Sequence, residues 1–316
     1  GRLVFRAVRE LYPNECQVVA VHDLSNVAVN AHLLKYDTAH GIFPEKIERT
    51  GNNVFTVGEG PNMWTINSME GSDGPSKLPW KELGVDVVLE STGVFRKKGT
   101  DTKEGYYGHI KAGAKKVILS APADDDIEST LVLGVNDSDL KPETQCISNA
   151  SCTTNALGPV AQTIMEHFKI TNGFMTTVHA YTNDQVVHDG VHSDPRRARS
   201  ACQNIVPTST GIAKALPKVV RSLPSQSFNG ISFRVPVVTG SLIDLTVLVE
   251  KKCTRDEVNA ALKTATLSGP LKGIMDYSEE PLVSSDIIHN QFSCVVDGLS
   301  TQVMDTKDGS LIKILA

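Results

Sequence analysis

The chain has 316 residues, about twice the length of a usual domain, so two domains with separate cores are expected. With 31 basic and 36 acidic side chains the net charge is −5, and no long basic run occurs, which argues against nucleic acid or an anionic membrane surface as the main partner. No apolar run approaches the ~20 residues of a membrane span, and the six cysteines show neither a CxxC pair nor metal-ligand spacing, so a reducing compartment, no disulfide framework and no metal are expected.

In chain order, residues 1–11 place Leu3, Val4, Ala7, Val8 and Leu11 on one helical face, and Pro13 closes the element. The run Gln17–His22 is short, apolar and β-branched, as in a buried parallel strand, and it leads into Asp23. A helix over 26–36 follows, then strands near 53–57, 63–67, 85–90, 116–121 and 131–135, with a further helix near 102–112. Such alternation predicts an α/β fold with a doubly wound, Rossmann-type sheet over residues 1–150.

From Ile147 to Asn155 the sequence reads Ile-Ser-Asn-Ala-Ser-Cys-Thr-Thr-Asn, and beyond it Ala156, Leu157, Val160, Ala161, Ile164, Met165 and Phe168 recur at helical spacing. This predicts an amphipathic helix that begins at Cys152, with Ser151 or Asn149 as its cap. Unpaired N–H groups and the dipole at a helix N-terminus favour a thiolate over a thiol. Position alone leaves two readings open, a nucleophile and a buried structural cysteine. After this helix the pattern changes. Longer strands are expected at 175–181, 231–237 and 241–250, where Asp244, Thr246 and Glu250 alternate with apolar residues as in a sheet with one wet face. A helix at 255–265 interrupts them, so residues 151–316 are expected to form an α+β domain with a mostly antiparallel sheet. The aperiodic stretch 182–210, rich in Asp, His, Arg and Ser, is too long for a loop without a function.

Three groups of residues could carry chemistry. Gly1 opens a helix and Asp23 ends the following strand, about 20 residues on, which is either the tail of a dinucleotide fingerprint or a plain glycine and a solvent-exposed aspartate. His179, in Thr-Thr-Val-His-Ala-Tyr, has the most ordered context of the nine histidines. It is either a satisfied core histidine or the base that a cysteine nucleophile needs within hydrogen-bond reach. Arg196, Arg197 and Arg199, then Thr208-Ser209-Thr210-Gly211, then Arg234 in Phe-Arg-Val-Pro read singly as solvated charges or turns. Together they supply guanidinium forks, hydroxyls and a turn, a donor set suited to two separate phosphate groups.

The segments Leu33-Leu34-Lys35-Tyr36-Asp37, Glu90 to Phe95, Ser120-Ala121-Pro122, Ser148 to Asn155, Thr177 to Thr182, Asn204 to Lys214 and Phe233 to Pro236 occur in the order found in one family. Over essentially the whole chain the sequence resembles phosphorylating glyceraldehyde-3-phosphate dehydrogenases, with Ser-Cys-Thr-Thr-Asn the most specific segment. The resemblance implies oxidation of glyceraldehyde 3-phosphate with NAD, or alternatively NADP, and inorganic phosphate to give 1,3-bisphosphoglycerate. Cys152 would attack the aldehyde, His179 would take the hemithioacetal proton, and phosphate would attack the resulting thioester. Thr182 and Arg234 would hold the substrate's phosphate; Ser151, Thr153, Arg197, Thr210 and Gly211 would form the site through which inorganic phosphate attacks. Gly1, Arg2, Asp23, Thr92, Gly93 and Ser120 correspond to cofactor-lining positions, with Asp23 suited to the free ribose 2′-hydroxyl of NAD. A homotetramer with residues 182–210 at a subunit interface, a place in glycolysis, and the cytoplasm (a plastid as the alternative) are also implied.

The sequence departs from the family pattern in several places. It opens at what resembles the third glycine of the fingerprint and stops at Ile314-Leu315-Ala316, from which poor folding or poor cofactor binding of a polypeptide with these ends is expected. Ala156 stands where a second cysteine is frequent, and Ser72-Asp73-Gly74-Pro75 lacks an adenine-side arginine. The rival readings are an erythrose-4-phosphate dehydrogenase, a cysteine hydrolase or acyltransferase using Cys152 and His179 without nicotinamide, and a non-catalytic binding protein.

Overall fold

Short β-branched runs in the first half and longer alternating ones in the second fold into different sheets in the computed structural model, which describes residues 1–224 and 226–316. One unit comprises residues 1–129 and 141–149; the other comprises residues 130–140 and 150–316. Residues 130–140 belong to the second unit because Val132 is buried in its core, 3.3 Å from the position a Cβ on Gly158 would take.

The first unit opens with α1 (Arg2–Leu11), β1 (Ala20–Asp23) and α2 (Val27–Lys35), followed by the two-strand pair β2 (Tyr36–Asp37) and β3 (Gly41–Ile42). Asn26 caps α2, its side chain accepting from the N–H groups of Ala28 and Val29. Strands β4 (Ile47–Arg49), β5 (Val54–Val57) and β6 (Trp64–Glu70) join β1 in a sheet of order β1-β6-β5-β4, with β1 parallel to β6 and the other pairs antiparallel. A second sheet, of order β7-β8-β10-β9, contains β7 (Val87–Glu90), β8 (Lys116–Leu119), β9 (Ser129–Thr130) and β10 (Cys146–Ser148), of which β7, β8 and β10 run parallel.

Four expectations need correction here. Helix α1 forms, but it buries Phe5, Arg6 and Arg9 while Leu3, Val4 and Leu11 are exposed. The two guanidiniums displace the apolar stripe because each is fully partnered. Arg6 donates to the carbonyls of Leu34, Lys35 and Gly41 over the ring of Phe43, and Arg9 forks onto Glu45 at 2.9 Å over the ring of Trp64. Strand β1 starts at Ala20, not residue 17, and most of it is half-buried. The expected helix at 102–112 is a single turn, α3 (Gly108–Lys111), since residues 97–106 close on themselves through Tyr106 N–H to Lys97 O and Thr100 N–H to Lys103 O. Residues 131–135 are a turn in which Val132 N–H donates to the Asn136 side chain, so their apolar character reflects core packing and not a strand.

The second unit is built on a seven-stranded sheet of order β12-β13-β11-β14-β17-β16-β15. Its elements in chain order are α4 (Cys152–Phe168), β11 (Ile170–Ala180), β12 (Val206–Thr208), α5 (Ile212–Val219), β13 (Phe228–Val235), β14 (Ser241–Val249), α6 (Arg255–Leu267), β15 (Met275–Ser278), β16 (Cys294–Thr306) and β17 (Gly309–Leu315). The apolar stripe of α4, Leu157, Val160, Ala161, Ile164 and Phe168, is buried with Met175, Ile243, Leu245, Val247 and Val258 in one core. On β14 the expected alternation holds: Ile243, Leu245, Val247 and Val249 are buried, while Asp244 and Thr246 between them are half-exposed, and Asp244 binds Lys313 at 2.6 Å. Strands β15–β17 were not anticipated, because the alternation along β16 is broken by a register shift between Asp297 and Gln302. Among the described residues, no helix is long and apolar enough to cross a membrane, and no group of three His, Cys, Asp or Glu could hold a metal ion.

Gly309 opens β17 with φ 146°, and a Cβ there would run into the carbonyl oxygen of Val249. Gly309→Ala therefore combines backbone strain with a clash against β14, and a loss of at least ~2 kcal/mol in the unfolding transition is expected by thermal or denaturant melting. An unchanged midpoint would refute this packing.

Candidate active site

Cys152 is the first residue of α4, and Ser151 is its N-cap: Ser151 Oγ accepts from Thr154 N–H at 3.0 Å and lies 2.8 Å from Thr154 Oγ1. Ala150, immediately before, is a non-glycine residue at φ 55°, a strained left-handed turn that aims the helix start. The thiol is exposed, and its Sγ lies 3.2 Å from Nε2 of His179 and 4.0 Å from Oγ1 of Thr153. Desolvation pushes the Cys152 thiol up, but the hydrogen bond and charge of His179, then the bonds to Thr153, outweigh it and hold the thiol below its ordinary value. Buried Cys146 and Cys294 show the contrast, since burial pushes both up to about 12. Exposure and a histidine partner thus set Cys152 apart from the buried cysteines.

His179 is the penultimate residue of β11, whose parallel register with β13 sets it beside Arg234 and whose antiparallel register with β14 sets it opposite Ser241. Arg234 Nη1 lies 2.8 Å from His179 Nδ1 and 2.9 Å from the carbonyl oxygen of Ala180. Desolvation and then the nearby charge of Arg197 lower the pKa of Arg234. Two guanidiniums close enough to feel each other's charge are a donor set suited to an anion. Arg197 is held by Thr208 Oγ1 at 3.1 and 2.9 Å and by Asp184 at 2.6 Å, and Thr208 lies on β12 opposite Ser232 of β13. Burial raises Asp184, but its bonds to Arg197 and His192 win and hold the carboxyl low.

The structure therefore brings Cys152, His179, Arg234, Thr153 and Ser151 together, with Arg197 near Arg234. Ser151 Oγ is committed to the helix cap. Among the described residues no hydrogen bond joins Thr182, Thr210 or Gly211 to the Cys152–His179 pair. Gly211 caps α5 without a side-chain bond and has nothing within 4 Å of its would-be Cβ, so that helix start is open. The roles of Thr208 and Asp184 in fixing Arg197 were not read from sequence, and only the Thr208–Gly211 run hinted at them.

The cofactor-side positions lie in the first unit, at the carboxyl ends of parallel strands, where doubly wound sheets bind ligands. Asp23 ends β1, Thr92 and Gly93 follow β7, and Ser120 follows β8. Gly1 would place a Cβ 3.6 Å from that of Ser91, and Ser120 Oγ donates to Ser91 Oγ at 3.1 Å. Helix α1 begins at Gly1 with no side-chain cap and no acid in its first turn, and Arg2 is exposed there. Gly93, at φ 73°, has open space around it. An open helix start for a pyrophosphate, a carboxylate for a ribose and a glycine-containing turn fit a dinucleotide.

A buried relay missed in the sequence supports that turn. Thr92 donates to Glu90 Oε1 through N–H at 2.7 Å and Oγ1 at 2.6 Å; Glu90 Oε2 meets His109 Nε2 at 2.9 Å; Trp80 Nε1 donates to His109 Nδ1 at 2.9 Å. An indole only donates, so His109 carries its proton on Nε2 and gives it to Glu90. Burial raises the Glu90 carboxyl, but the bonds from His109 and Thr92 outweigh it and keep it below the usual carboxylate value.

A doubly wound half fitted to a dinucleotide and a mixed-sheet half bearing an activated cysteine, carried on one chain, define a two-part nicotinamide-dependent oxidoreductase. Residues 1–98 match the family description "Glyceraldehyde 3-phosphate dehydrogenase, NAD binding domain", and residues 151–316 match "Glyceraldehyde 3-phosphate dehydrogenase, C-terminal domain". Glyceraldehyde-3-phosphate dehydrogenase of Borreliella burgdorferi is 48% identical over 96% of this chain and 88% of its own length. That of Thermotoga maritima is 48% identical over 99% and 89%, and glyceraldehyde-3-phosphate dehydrogenase 1 of Bacillus subtilis is 47% identical over 100% and 89%. The chain belongs to the glyceraldehyde 3-phosphate dehydrogenase family, and NAD is the cofactor of its first half.

Because His179 lowers the Cys152 thiol, alkylation of Cys152 should persist below the ordinary thiol midpoint of ~8.5 and fade only as pH falls through the depressed value. His179→Asn should move the midpoint up and slow alkylation at pH 7 by at least ~10-fold; an unchanged profile would show the pair to be uncoupled. Ser151→Ala should cost about 1 kcal/mol of stability through loss of the helix cap, measured by thermal melting.

Proposed function

We infer that the chain is an NAD-dependent phosphorylating dehydrogenase that converts glyceraldehyde 3-phosphate and inorganic phosphate to 1,3-bisphosphoglycerate. The observation that carries the residue roles is the 3.2 Å contact of Cys152 Sγ with His179 Nε2 at a helix N-terminus, with Arg234 against the same imidazole. The Cys152 thiolate attacks the aldehyde carbon, forming a hemithioacetal in an environment where Thr153 and the helix start oppose the developing charge. His179 takes the hydroxyl proton as hydride departs, leaving a thioester on Cys152. NAD, when bound, supplies the hydride acceptor. Phosphate attack on the thioester carbon releases the acyl phosphate and returns the thiolate. The covalent intermediate divides the reaction into two easier steps and conserves the oxidation energy in the acyl group.

Arg234, with Thr182, receives the substrate's phosphate. Arg197, with Ser151, Thr153, Thr210 and Gly211, receives the attacking phosphate, which must displace Asp184 from the guanidinium. Gly1, Arg2, Asp23, Thr92, Gly93 and Ser120 line the cofactor, and the carboxylate of Asp23 favours NAD over NADP because a 2′-phosphate would meet like charge. The protein works in the cytoplasm, in glycolysis, as a homotetramer. Support for assembly comes from apolar side chains left exposed in the long loop, Val187, Val191 and Ile205, and on the wet face of the sheet, Phe174, Ile231 and Met304.

Reduction of NAD is expected to require glyceraldehyde 3-phosphate and phosphate together and to exceed that with erythrose 4-phosphate, followed by absorbance of the reduced nicotinamide. Cys152→Ser should abolish it, and His179→Asn should lower kcat by about 10²–10⁴-fold. Absence of reduction, or reduction indifferent to Cys152→Ser, would overturn the reading.

A further inference from the structure

Beneath the exposed turn that follows β7 lies a buried carboxylate bridging two sets of donors. Glu90, 3% exposed, takes the N–H and the hydroxyl of Thr92 on Oε1 at 2.7 and 2.6 Å, and meets His109 Nε2 on Oε2 at 2.9 Å. His109 is equally buried, and its Nδ1 receives the Trp80 indole N–H at 2.9 Å, so Nε2 must be the donor to Glu90. Only a group that accepts at both ends fits this bridge. An amide in its place would turn an NH2 toward either Thr92 or His109, donor against donor.

The bridge fixes what the turn can offer outward. Thr92 is exposed, yet both of its protons point inward to Glu90, and its hydroxyl oxygen accepts from Val94 N–H at 3.1 Å, which closes the turn. What Thr92 keeps for a ligand is lone pairs, which suit a hydroxyl donor such as that of a ribose and not a phosphate oxygen. The preceding residue, Ser91, stands against the open start of α1, where a Cβ on Gly1 would fall 3.6 Å from that of Ser91, and it receives the Ser120 hydroxyl at 3.1 Å. The turn is therefore a wall of the same cradle whose helix start suits a pyrophosphate, and displacing it would alter both.

We propose that Glu90 is a positioning residue for NAD: braced by His109 and Trp80, it holds Thr92 with both protons inward before the cofactor arrives, so that the turn meets a ribose hydroxyl as an acceptor. The inference deepens the cofactor-lining reading above and rests on it. Side chains that never touch the cofactor thereby set its affinity.

The first test needs no variant. In the cofactor-free protein the Thr92 amide, although it belongs to an exposed residue, should exchange with deuterium at least ~10-fold more slowly than in an unstructured peptide, read at single-amide resolution. Calorimetric titration with NAD then compares variants. His109→Leu removes the donor to Glu90 and the acceptor for Trp80, and should weaken NAD about tenfold, raising KM for NAD while kcat at saturation stays within about threefold. His109→Gln carries a donor and an acceptor at similar volume and should bind NAD more tightly than His109→Leu. Glu90→Gln, which cannot accept at both ends, should weaken NAD about tenfold. Free exchange at Thr92 without NAD, undiminished affinity in His109→Leu or Glu90→Gln, or equal weakening by His109→Leu and His109→Gln overturns the proposal; if the variants do not fold, the exchange measurement decides alone. Any of these failures in a protein that binds NAD leaves the cofactor-lining reading standing. Absence of NAD binding by the unmodified protein would remove that reading and the proposal with it.

Discussion

The register between β11 and β13 is the constraint on which the catalytic half depends. It pairs His179 with Arg234 and, through β12, brings Thr208 and hence Arg197 to the same edge. Because strand side chains alternate, a slip of one residue would turn His179 to the opposite face and separate it from Cys152. Register is enforced from below. Met175, Ile243, Leu245 and Val247 are buried against the apolar stripe of α4, and the same helix that covers them presents Cys152 at its first residue. The distance between thiol and imidazole is therefore set by core packing, which tolerates little change in volume, and not by the two residues themselves.

That core carries several local costs. Ala150 sits at φ 55°, Arg234 has an unpartnered buried Nε, and a reactive thiol is left exposed. The strained backbone and the unpartnered nitrogen each cost roughly 1–3 kcal/mol and persist only where the surroundings over-determine them. All three fall within one region of the second unit, next to residues that would otherwise be free to relax. The three buried cysteines carry no such arrangement; burial first, and then a nearby carboxylate, raises each thiol and leaves it inert.

How much could be read beforehand follows from the range of each signal. The helix at Cys152 was legible because its periodicity and its serine cap are local, and β14 was legible because its alternation is unbroken. The face of α1 was not, since Arg6 and Arg9 look solvated until Leu34, Gly41 and Glu45 arrive from 28 to 36 residues away. The helix expected at 102–112 failed for a related reason: residues of good helical pattern were taken over by a loop closed between Lys97 and Tyr106. The candidate residues themselves were found by type and motif, but their partners were not. Nothing in the sequence ties Trp80 to His109 or Asp184 to Arg197, because those pairings exist only after the fold has formed.

The two histidines with the closest polar surroundings show how one piece of chemistry serves two ends. Each meets at Nδ1 a group that can only donate, and His179 meets the carbonyl oxygen of Ala180 there as well. At His109 the donor is the indole of Trp80, buried in a small apolar cluster with Leu78, Val88 and Ala114, and the acceptor at the other nitrogen is the ionised Glu90. Neither has anywhere else to go, so the tautomer is locked and the Thr92 turn is held in one shape. At His179 the donor is a half-buried guanidinium with an unused Nε, and the opposite nitrogen faces an exposed thiol. The difference lies in burial and spare hydrogen-bonding capacity, not in the histidine: one ring is locked into the scaffold of the first unit, and the other faces an exposed thiol.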